Sequence, residues 1–405
     1  MQDQDVEVTG GADTHRDQHV AAVVDTAGRI LGTEAFPATS AGYRQLLRWM
    51  RRHGRLVKVG VEGTGSYGAG LARYLAAEGV TVVEVNRPNR QTRRRRGKSD
   101  PTDAEAAARA ALNGEADATP KTADGAAEAL RALRVARRSA MKARTQAANQ
   151  IRDLIVTAPD ELRSRLGHLD TDERVAVCAR FRPGTPAEPL EATRRSLRCL
   201  ARRHVDLSAE IDELDAAISD LCAQANPALL SARGVGPETA SALIVAAGDN
   251  PERMRTEASF AALCGASPVE ASSGRVTRHR LNRGGNREAN HALWRIVMVR
   301  LTCDKTTQAY VERRRAEGRS DREIVRCLKR YIAREIYRLL TDPPAIPAGT
   351  TLRQRRRQAG VPLRVVAEAI NSWPTRISQL ERGLKHDADL ATRCTLWLDL
   401  QGVPA

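Results

Sequence analysis

Residues 6–36 read VEVTGGADTHRDQHVAAVVDTAGRILGTEAF. Apolar runs at 6–14, 19–25 and 30–36 are separated by turn-forming residues, most clearly at 25–28, and each run has the length of a short strand. Connections this short join neighbouring antiparallel strands. The stretch therefore predicts an antiparallel meander of three strands at the start of the chain.

The residues after the meander alternate between helical and extended patterns. They predict a helix at 43–52, a strand at 56–61, a helix at 67–77, a strand at 80–85 and a helix at 101–112. The order βββαβαβα sets parallel strands with crossover helices beside the antiparallel hairpin, and no Gly-x-Gly-x-x-Gly follows the first strand. This order predicts an RNase H-like (RuvC-like) domain rather than a doubly wound nucleotide-binding sheet.

The rest of the chain is predicted to be mostly helical. Apolar residues recur at helical spacing from 126 to 157, and a heptad pattern from Leu197 to Leu221 indicates a coiled-coil seam that could serve as a dimerisation arm. The fold class is thus multidomain, α/β followed by α. We expect a RuvC-like domain at 1–118, a coiled-coil arm at 119–225, a helical domain at 226–341, a linker at 342–350 and a small all-α domain at 351–405.

The charge balance favours a polyanionic partner. The chain carries 65 basic and 49 acidic residues, a net charge of +16, and arginine supplies most of the excess. Arginine forks onto phosphate oxygens, so nucleic acid is the leading expectation, although a generally Ala/Arg-rich composition would also make the chain basic. The seven scattered cysteines predict neither disulfides nor zinc, and the absence of a membrane span or signal pattern predicts a cytoplasmic protein.

Four carboxylates stand at the ends of predicted elements. Asp13 lies in the first strand, Glu62 ends the fourth, and Asp100 and Asp103 open the helix that follows a basic stretch. Two-metal phosphodiester chemistry requires acidic oxygens that converge from separate elements. An alternative stays open for each residue: Asp100 before Pro101 suits a helix N-cap, Asp103 suits a first-turn acid, and Asp13 and Glu62 suit turn and strand-end positions. The basic residues next to them, predicted to contact phosphates, are Arg93, Arg94, Arg95, Arg96 and Lys98.

A Gly-rich, hydroxyl-rich and basic stretch runs from 258 to 287. It contains Ser272, Ser273 and Gly274, and it reads as a loop held near DNA, although a serine in such a place is more often a turn or cap residue. Just upstream, Gly234 and Gly236 suit a helix-hairpin-helix that offers backbone amides to a phosphate, or an ordinary glycine turn. The arginines of the loop predicted to contact phosphates are Arg278, Arg280, Arg283 and Arg287.

Residues 352–370 and 375–383 resemble a Cro/repressor-type helix-turn-helix. The second helix of such a domain enters the major groove, while Val366, Ala369, Ile377 and Leu380 are expected to pack inside. The residues predicted to face bases or phosphates are Thr375, Arg376, Ser378 and Gln379.

The motifs at 11–17 (GADTHRD), 61–67 (VEGTGSY) and 98–104 (KSDPTDA), followed by the serine stretch, resemble those of the IS110 family of insertion-sequence transposases, which includes Piv-like invertases. The resemblance covers residues 6 to about 340. It implies that Asp13, Glu62, Asp100 and Asp103 form an Asp-Glu-Asp-Asp site that binds Mg²⁺ or Mn²⁺. It also implies that Ser272, with Ser273 as the alternative, is a covalent nucleophile, although Arg275 replaces the second glycine usual after the serine pair.

The resemblance further implies a function and partners. The expected function is a DNA transposase or recombinase guided by a structured bridge RNA that pairs with donor and target DNA, and we expect a homodimer or homotetramer without membrane association. Two other functions remain open from the residues alone. A RuvC-type nuclease would need the carboxylates but not the serine, and a non-catalytic helix-turn-helix regulator would need neither.

Overall fold

A computed structural model describes residues 6–85, 99–275, 279–344, 349–381, 385 and 387–402. The chain divides into two compact units. The first comprises Met1–Ala123 together with the short segment Asn250–Arg255, and the second comprises Asp124–Asp249 and Thr256–Ala405. Among the described residues, no helix has the length and apolar character that crossing a membrane requires.

The first unit contains a five-stranded mixed sheet. Its strands are β1 (Glu7–Thr14), β2 (Gln18–Asp25), β3 (Ile30–Pro37), β4 (Arg55–Glu62) and β5 (Thr81–Val85), in the order β3-β2-β1-β4-β5. Strand β1 is antiparallel to β2 and parallel to β4, and β5 is parallel to β4. The predicted meander and both parallel strands are confirmed, and the arrangement is consistent with an RNase H-like domain.

Three described helices cover the sheet. Helices α1 (Ser40–Arg51) and α2 (Ala69–Ala77) enclose an apolar core on one face, and α3 (Asp100–Leu112) lies on the other. Because side chains alternate across a strand, Gly10 of β1 faces Met50 of α1, whereas Gly11 faces the backbone of α3. Asp13, two residues beyond Gly11, therefore lies on the α3 face.

Helix α3 approaches the sheet over two paired glycines. Gly11 of β1 lies opposite Gly60 of β4 in the parallel register. A Cβ atom at Gly11 would collide with the backbone of Ala104 and Ala108, and one at Gly60 would collide with the carbonyl of Ala107. Glycine permits such a close approach of two backbones, and alanines on the helix complete the fit. This packing fixes the first turn of α3 at the ends of β1 and β4.

The described helices of the second unit include one over the predicted stretch 126–157 and one over the heptad pattern. In chain order they are α4 (Ala126–Val156), α5 (Asp160–Leu166), α6 (Thr171–Ala179), α7 (Pro189–Ala225), α8 (Pro227–Ser231), α9 (Pro237–Ala247), α10 (Glu257–Leu263), α11 (Arg287–Cys303), α12 (Lys305–Ala316) and α13 (Asp321–Thr341). A two-stranded hairpin, β6 (Val269–Glu270) and β7 (His279–Arg280), lies between α10 and α11.

The predicted long helix and the heptad helix pack on each other within the chain. Leu197 and Ala201 of α7 join Ile151 and Ile155 of α4 in one buried cluster, and Arg137 of α4 forms an ion pair with Asp215 of α7. The apolar seam thus has a partner in its own chain. A coiled-coil seam between subunits is therefore not required to account for the heptad pattern.

Four helices form the C-terminal part: α14 (Gly349–Gln358), α15 (Leu363–Ala369), α16 (Pro374–Glu381) and α17 (Ala388–Leu400). Val366, Ile377 and Leu380 are buried as predicted. Ala369 is exposed, contrary to the prediction, because it lies on the outer side of the last turn of α15, where Ala367 and Ile370 face the core instead.

Candidate metal and nucleic-acid sites

Strands β1 and β4 bring two of the predicted acids to one edge of the sheet. The parallel register pairs Ala12 with Val61, so Asp13 and Glu62 follow at neighbouring strand ends. The Thr14 hydroxyl donates a hydrogen bond of 2.8 Å to the Glu62 carbonyl, which joins the two strands beyond their last register pair. Asp13 is 7% exposed.

The first turn of α3 supplies the other two acids. The N-cap of this helix is Ser99, not Asp100, so the predicted capping alternative for Asp100 is wrong. Asp103, one turn further along, is 3% exposed, whereas the Asp100 side chain is about two-fifths exposed. A first-turn acid that served only the helix dipole would have no need of such burial.

His15 joins the group, although it was not among the predicted site residues. Its Nε2 atom lies 3.1 Å from Oδ2 of Asp13 and 3.3 Å from Oδ1 of Asp100. One ligand atom from each of these three residues falls within 4.8 Å of the others, close enough to share one metal ion. The sequence feature that could have predicted His15 as a site residue is the Asp-Thr-His order at 13–15, because it places an imidazole just beyond the end of β1.

The electrostatics of Asp13 favour a bound cation. Burial raises the pKa of Asp13, and the neighbouring carboxylates of Asp103 and Asp100 raise it further, while His15 opposes the shift. An acid in this environment is costly to ionise unless a positive charge compensates for it. Carboxylate oxygens with one imidazole nitrogen form a donor set that a divalent ion such as Mg²⁺ or Mn²⁺ accepts.

The predicted basic neighbours of this cluster, Arg93, Arg94, Arg95, Arg96 and Lys98, lie outside the described residues.

The predicted serine lies on an exposed hairpin in the second unit. Ser272 and Ser273 follow β6, and both are exposed. Gly274 has a φ of +57° with open space around its missing Cβ, which is the geometry of a turn. Of the basic residues predicted around the hairpin, Arg278 lies outside the described residues.

The remaining arginines of this stretch lie in different places. Arg280 lines a cavity of about 320 Å³ beside the hairpin. Arg287, at the start of α11, lines a separate groove of about 380 Å³ with Arg134 and Arg137 of α4. Arg283 is exposed on the connecting loop.

The two glycines before α9 have different roles. Gly234 has a φ of +78°, as a tight turn between two short helices requires. Gly236 precedes Pro237 as the N-cap of α9, and its amide donates a 3.0 Å hydrogen bond to the Thr239 hydroxyl. That amide is therefore already engaged within the protein, whereas the sequence left open whether it would be offered to a phosphate or belong to an ordinary glycine turn.

Helices α15 and α16 form two consecutive helices joined by a four-residue turn. Thr375 and Arg376 are exposed on α16, Ser378 and Gln379 are half-buried, and the Arg376 guanidinium pairs with Asp387 at 2.7 Å. A buried ion pair ties this arrangement to α14: Arg356 Nε lies 2.6 Å from Oε1 of Glu381. Such a pair rigidifies a domain as small as this one.

A five-stranded sheet of this order, with acids at the neighbouring ends of β1 and β4 and in the first turn of α3, is consistent with an RNase H-like domain. The comparisons with known families agree. A DEDD transposase model matches residues 10–158, and a model described as "Transposase IS116/IS110/IS902 family" matches residues 226–312. Together these matches span more than half of the chain, and the chain belongs to the IS110 family of transposases.

Two curated relatives are insertion-element proteins. The IS110 uncharacterized 43.6 kDa protein of Streptomyces coelicolor is 30% identical over 139 residues, which is 34% of this chain and 32% of the relative. The IS900 uncharacterized 42 kDa protein of Mycobacterium paratuberculosis is 25% identical over 169 residues, 41% of this chain and 42% of the relative. The chain thus matches 32% and 42% of the length of these two relatives.

Proposed function

We propose that this protein is a DNA transposase that cuts and rejoins strands for an insertion sequence, with an acidic metal site and a serine nucleophile acting in one reaction. The observation that carries the proposal is that Asp13, His15 and Asp100 bring ligand atoms within 4.8 Å of one another, with Glu62 at the neighbouring strand end and Asp103 in the same helical turn as Asp100. A capping role for these residues does not account for the burial of Asp13 and Asp103.

The four acids would hold Mg²⁺ or Mn²⁺, and His15 would complete the ligand set. A divalent ion bound there would supply positive charge to the phosphate oxygens as they become more negative during strand cleavage. The role of the protein would be to hold the carboxylates close together in advance, and the close packing of α3 over Gly11 and Gly60 supports this role.

Ser272 would supply the nucleophile, with Ser273 as the alternative. The Oγ atom attacks a backbone phosphorus, an Oγ–P ester forms, and the bond from phosphorus to one deoxyribose oxygen breaks. The departing oxygen takes up a proton equivalent to the one that the serine loses. Attack on the ester by a hydroxyl of a second strand reverses these bond changes and rejoins DNA. The exposure of the hairpin supports this role.

The test is a strand-cleavage and adduct assay. Wild-type protein is incubated with DNA carrying the element ends, the RNA transcribed beside the gene, and Mg²⁺. We expect a covalent protein–DNA adduct that is lost in Ser272→Ala and in Asp13→Asn. Cleavage without adduct that survives Ser272→Ala and Ser273→Ala would instead indicate a RuvC-type nuclease, and binding without any cleavage would indicate a regulator.

The partners are part of the proposal. We infer that a structured bridge RNA guides the protein to its DNA and that the working form is a dimer or tetramer. The net charge of +16 supports binding of nucleic acid. Omitting the RNA from the assay should abolish adduct formation, and light scattering of the assembled complex should give the number of protein copies.

The C-terminal helix-turn-helix supports a separate role in DNA binding. We propose that α16 enters the major groove and that Thr375, Ser378 and Gln379 contact DNA. On DNA binding, the Arg376 guanidinium would leave its ion pair with Asp387 and pair with a phosphate instead. Protection of a labelled element end in a footprinting experiment, lost on Gln379→Ala, tests this role.

A further inference from the structure

The cavity beside the serine hairpin is lined by residues to which the proposed function assigns no role. Residues Gly265–Pro268 and Arg280–Asn282, at the two ends of the hairpin, form one side of the cavity, and helix α13 forms the other. Its volume is about 320 Å³. The charged residues that line it are Arg280, Arg326, Lys329, Arg330 and Arg334.

The charges on this lining all have one sign. None of the described residues that line the cavity is acidic. Glu257, outside the lining, pairs with Arg334 at 2.9 Å and reaches Arg330 at 3.8 Å. Glu257 compensates for Arg334 and in part for Arg330. The other cations of the lining, Arg280, Arg326 and Lys329, share the cavity with no acidic residue among its described lining residues, and an anion bound there would relieve their mutual repulsion.

A hydrogen-bond network holds the Lys329 side chain in the cavity wall. It is 8% exposed, and its Nζ atom donates a 3.0 Å hydrogen bond to Oδ1 of Asn290. The Asn290 amide in turn donates to the carbonyls of Cys264 and Gly265. Burial lowers the pKa of Lys329, and nearby Arg326 lowers it further. A charged lysine in such a place gains stability when an anion is bound.

An aromatic residue on the lining indicates the kind of anion. Tyr331 lies on the cavity lining with 52% of its surface exposed, in a chain where only 3% of residues are aromatic. Exposed aromatic rings beside cationic grooves stack unpaired bases while the cations hold the backbone. The bases of a duplex are already stacked on each other and cannot use such a ring.

The hairpin is rigidly joined to this cavity. The Asn286 amide donates a 2.6 Å hydrogen bond to the Leu263 carbonyl. Gly265 and Gly285 have positive φ angles, and a Cβ atom at either position would collide with the opposing backbone. A strand bound in the cavity is thereby held at a fixed place relative to the base of the hairpin that carries Ser272.

We propose that the cavity binds the phosphodiester backbone of an unpaired DNA strand, with Arg280, Arg326 and Lys329 on the phosphates and Tyr331 under a base. This inference rests on the proposed function for its purpose, which is to position the strand that Ser272 attacks. Lys329 and Arg326 are positioning residues in this assignment.

Alkylation of Cys327 tests the proposal inside the full-length chain. Cys327 lines the cavity, whereas Cys199 and Cys303 are exposed elsewhere. Iodoacetamide labelling of all three thiols is followed by peptide mass spectrometry, with and without a 15-nucleotide single-stranded DNA of mixed sequence. We expect the DNA to slow labelling of Cys327 several-fold while the two reference thiols keep their rates.

Variants of α13 provide the matched comparison. Arg326→Gln and Lys329→Met should abolish the protection, and each should lower the salt dependence of binding by about one phosphate contact. Arg338→Gln removes the same charge from an exposed position of the same helix and should leave both unchanged. Circular dichroism reports whether Lys329→Met folds. If Lys329→Met does not fold, Arg326→Gln still tests the proposal, because Arg326 is exposed at the rim of the cavity.

The possible results distinguish failure of the cavity proposal from failure of the proposed serine mechanism. Absence of protection in the wild type, or equal protection in Arg326→Gln and Arg338→Gln, overturns the proposal. Protection by duplex DNA or by RNA of the same length, but not by single-stranded DNA, overturns the choice of an unpaired DNA strand. Protection without any protein–DNA adduct would leave the cavity assignment intact and remove the serine mechanism instead.

Discussion

At the scale of single residues, the surroundings of Asp13 disfavour the ionised form of its carboxyl group. The side chain is buried, and Asp100 and Asp103 raise its pKa together with burial. Proteins keep such arrangements where function requires them and lose stability in return. The consequence is a variant that should be more stable and less active.

Asp13→Asn should therefore raise the stability of the metal-free protein by about 1 kcal/mol, because it removes the buried negative charge. The same variant should lose the rise in melting temperature that MnCl₂ or MgCl₂ produces in the wild type. Differential scanning fluorimetry measures both. Asp17→Asn, at an exposed position in the same motif, is the control and should change neither. A normal metal response in Asp13→Asn would remove Asp13 from the site.

His15 gives a second prediction at this scale. Its Nε2 atom contacts both Asp13 and Asp100. Because imidazole suits Mn²⁺ better than Mg²⁺, His15→Ala should weaken Mn²⁺ binding by about tenfold and Mg²⁺ binding less. Isothermal titration with each ion measures the two affinities. Tighter binding in the variant would mean that the imidazole occupies the place that the cation takes.

At the scale of elements, the glycine pair under α3 controls the site without touching it. Gly11→Ala should push the helix away from the sheet, since the new Cβ meets the backbone of Ala104 and Ala108. We expect a loss of about 2 kcal/mol in stability and a weaker metal response, because Asp100 and Asp103 move with the helix. Gly65→Ala, where nothing lies within 4 Å of the added atom, is the matched control. Thermal unfolding with and without Mn²⁺ distinguishes the two variants.

The helix pair α4 and α7 can be tested in the same way. Leu197 is fully buried between these helices, and its replacement by Ala should cost about 3 kcal/mol through the cavity that it leaves. Val205→Ala, at a 48% exposed position of α7, should cost little. Hydrogen exchange of peptides from α4 should rise in Leu197→Ala alone. No change there would mean that the two helices are held by their polar contacts.

The limits of sequence-based prediction are clearest at this scale. The strands and helices of the first unit were predicted to within about three residues because alternation and helical periodicity are local signals. The partner of the heptad seam was not predictable, since an apolar stripe does not specify whether its own chain or another subunit covers it. His15 and the α13 cations were not predicted as site residues, because the contact of His15 with Asp100 and the position of the cations beside the hairpin arise only when distant segments fold together.

At the scale of the whole molecule, the C-terminal helices should be separable from the acidic site. Removing the buried ion pair by Glu381→Gln leaves Arg356 without a charge partner and should cost about 3–5 kcal/mol in that small core. We expect α14–α17 to unfold, affinity for duplex DNA to fall, and the Mn²⁺-induced stabilisation to stay as in the wild type. Limited proteolysis and fluorimetry measure these effects. Loss of the Mn²⁺ response would show that the two parts depend on each other.

The short return segment Asn250–Arg255 has a consequence for how the protein is made. It completes the first unit from a distance, because Asn250 Nδ2 donates to the Pro120 carbonyl at 2.9 Å and Asn250 Oδ1 accepts from the Thr122 amide at 3.3 Å. At synthesis rates of about 5–20 residues per second, the ribosome needs roughly 7 to 26 seconds to travel from residue 123 to residue 255. During that interval the nascent chain carries an acidic domain that lacks its last segment. A messenger broken between these points would therefore yield an incomplete first unit, and the complete unit would form only after the intervening residues 124–249 have been synthesised.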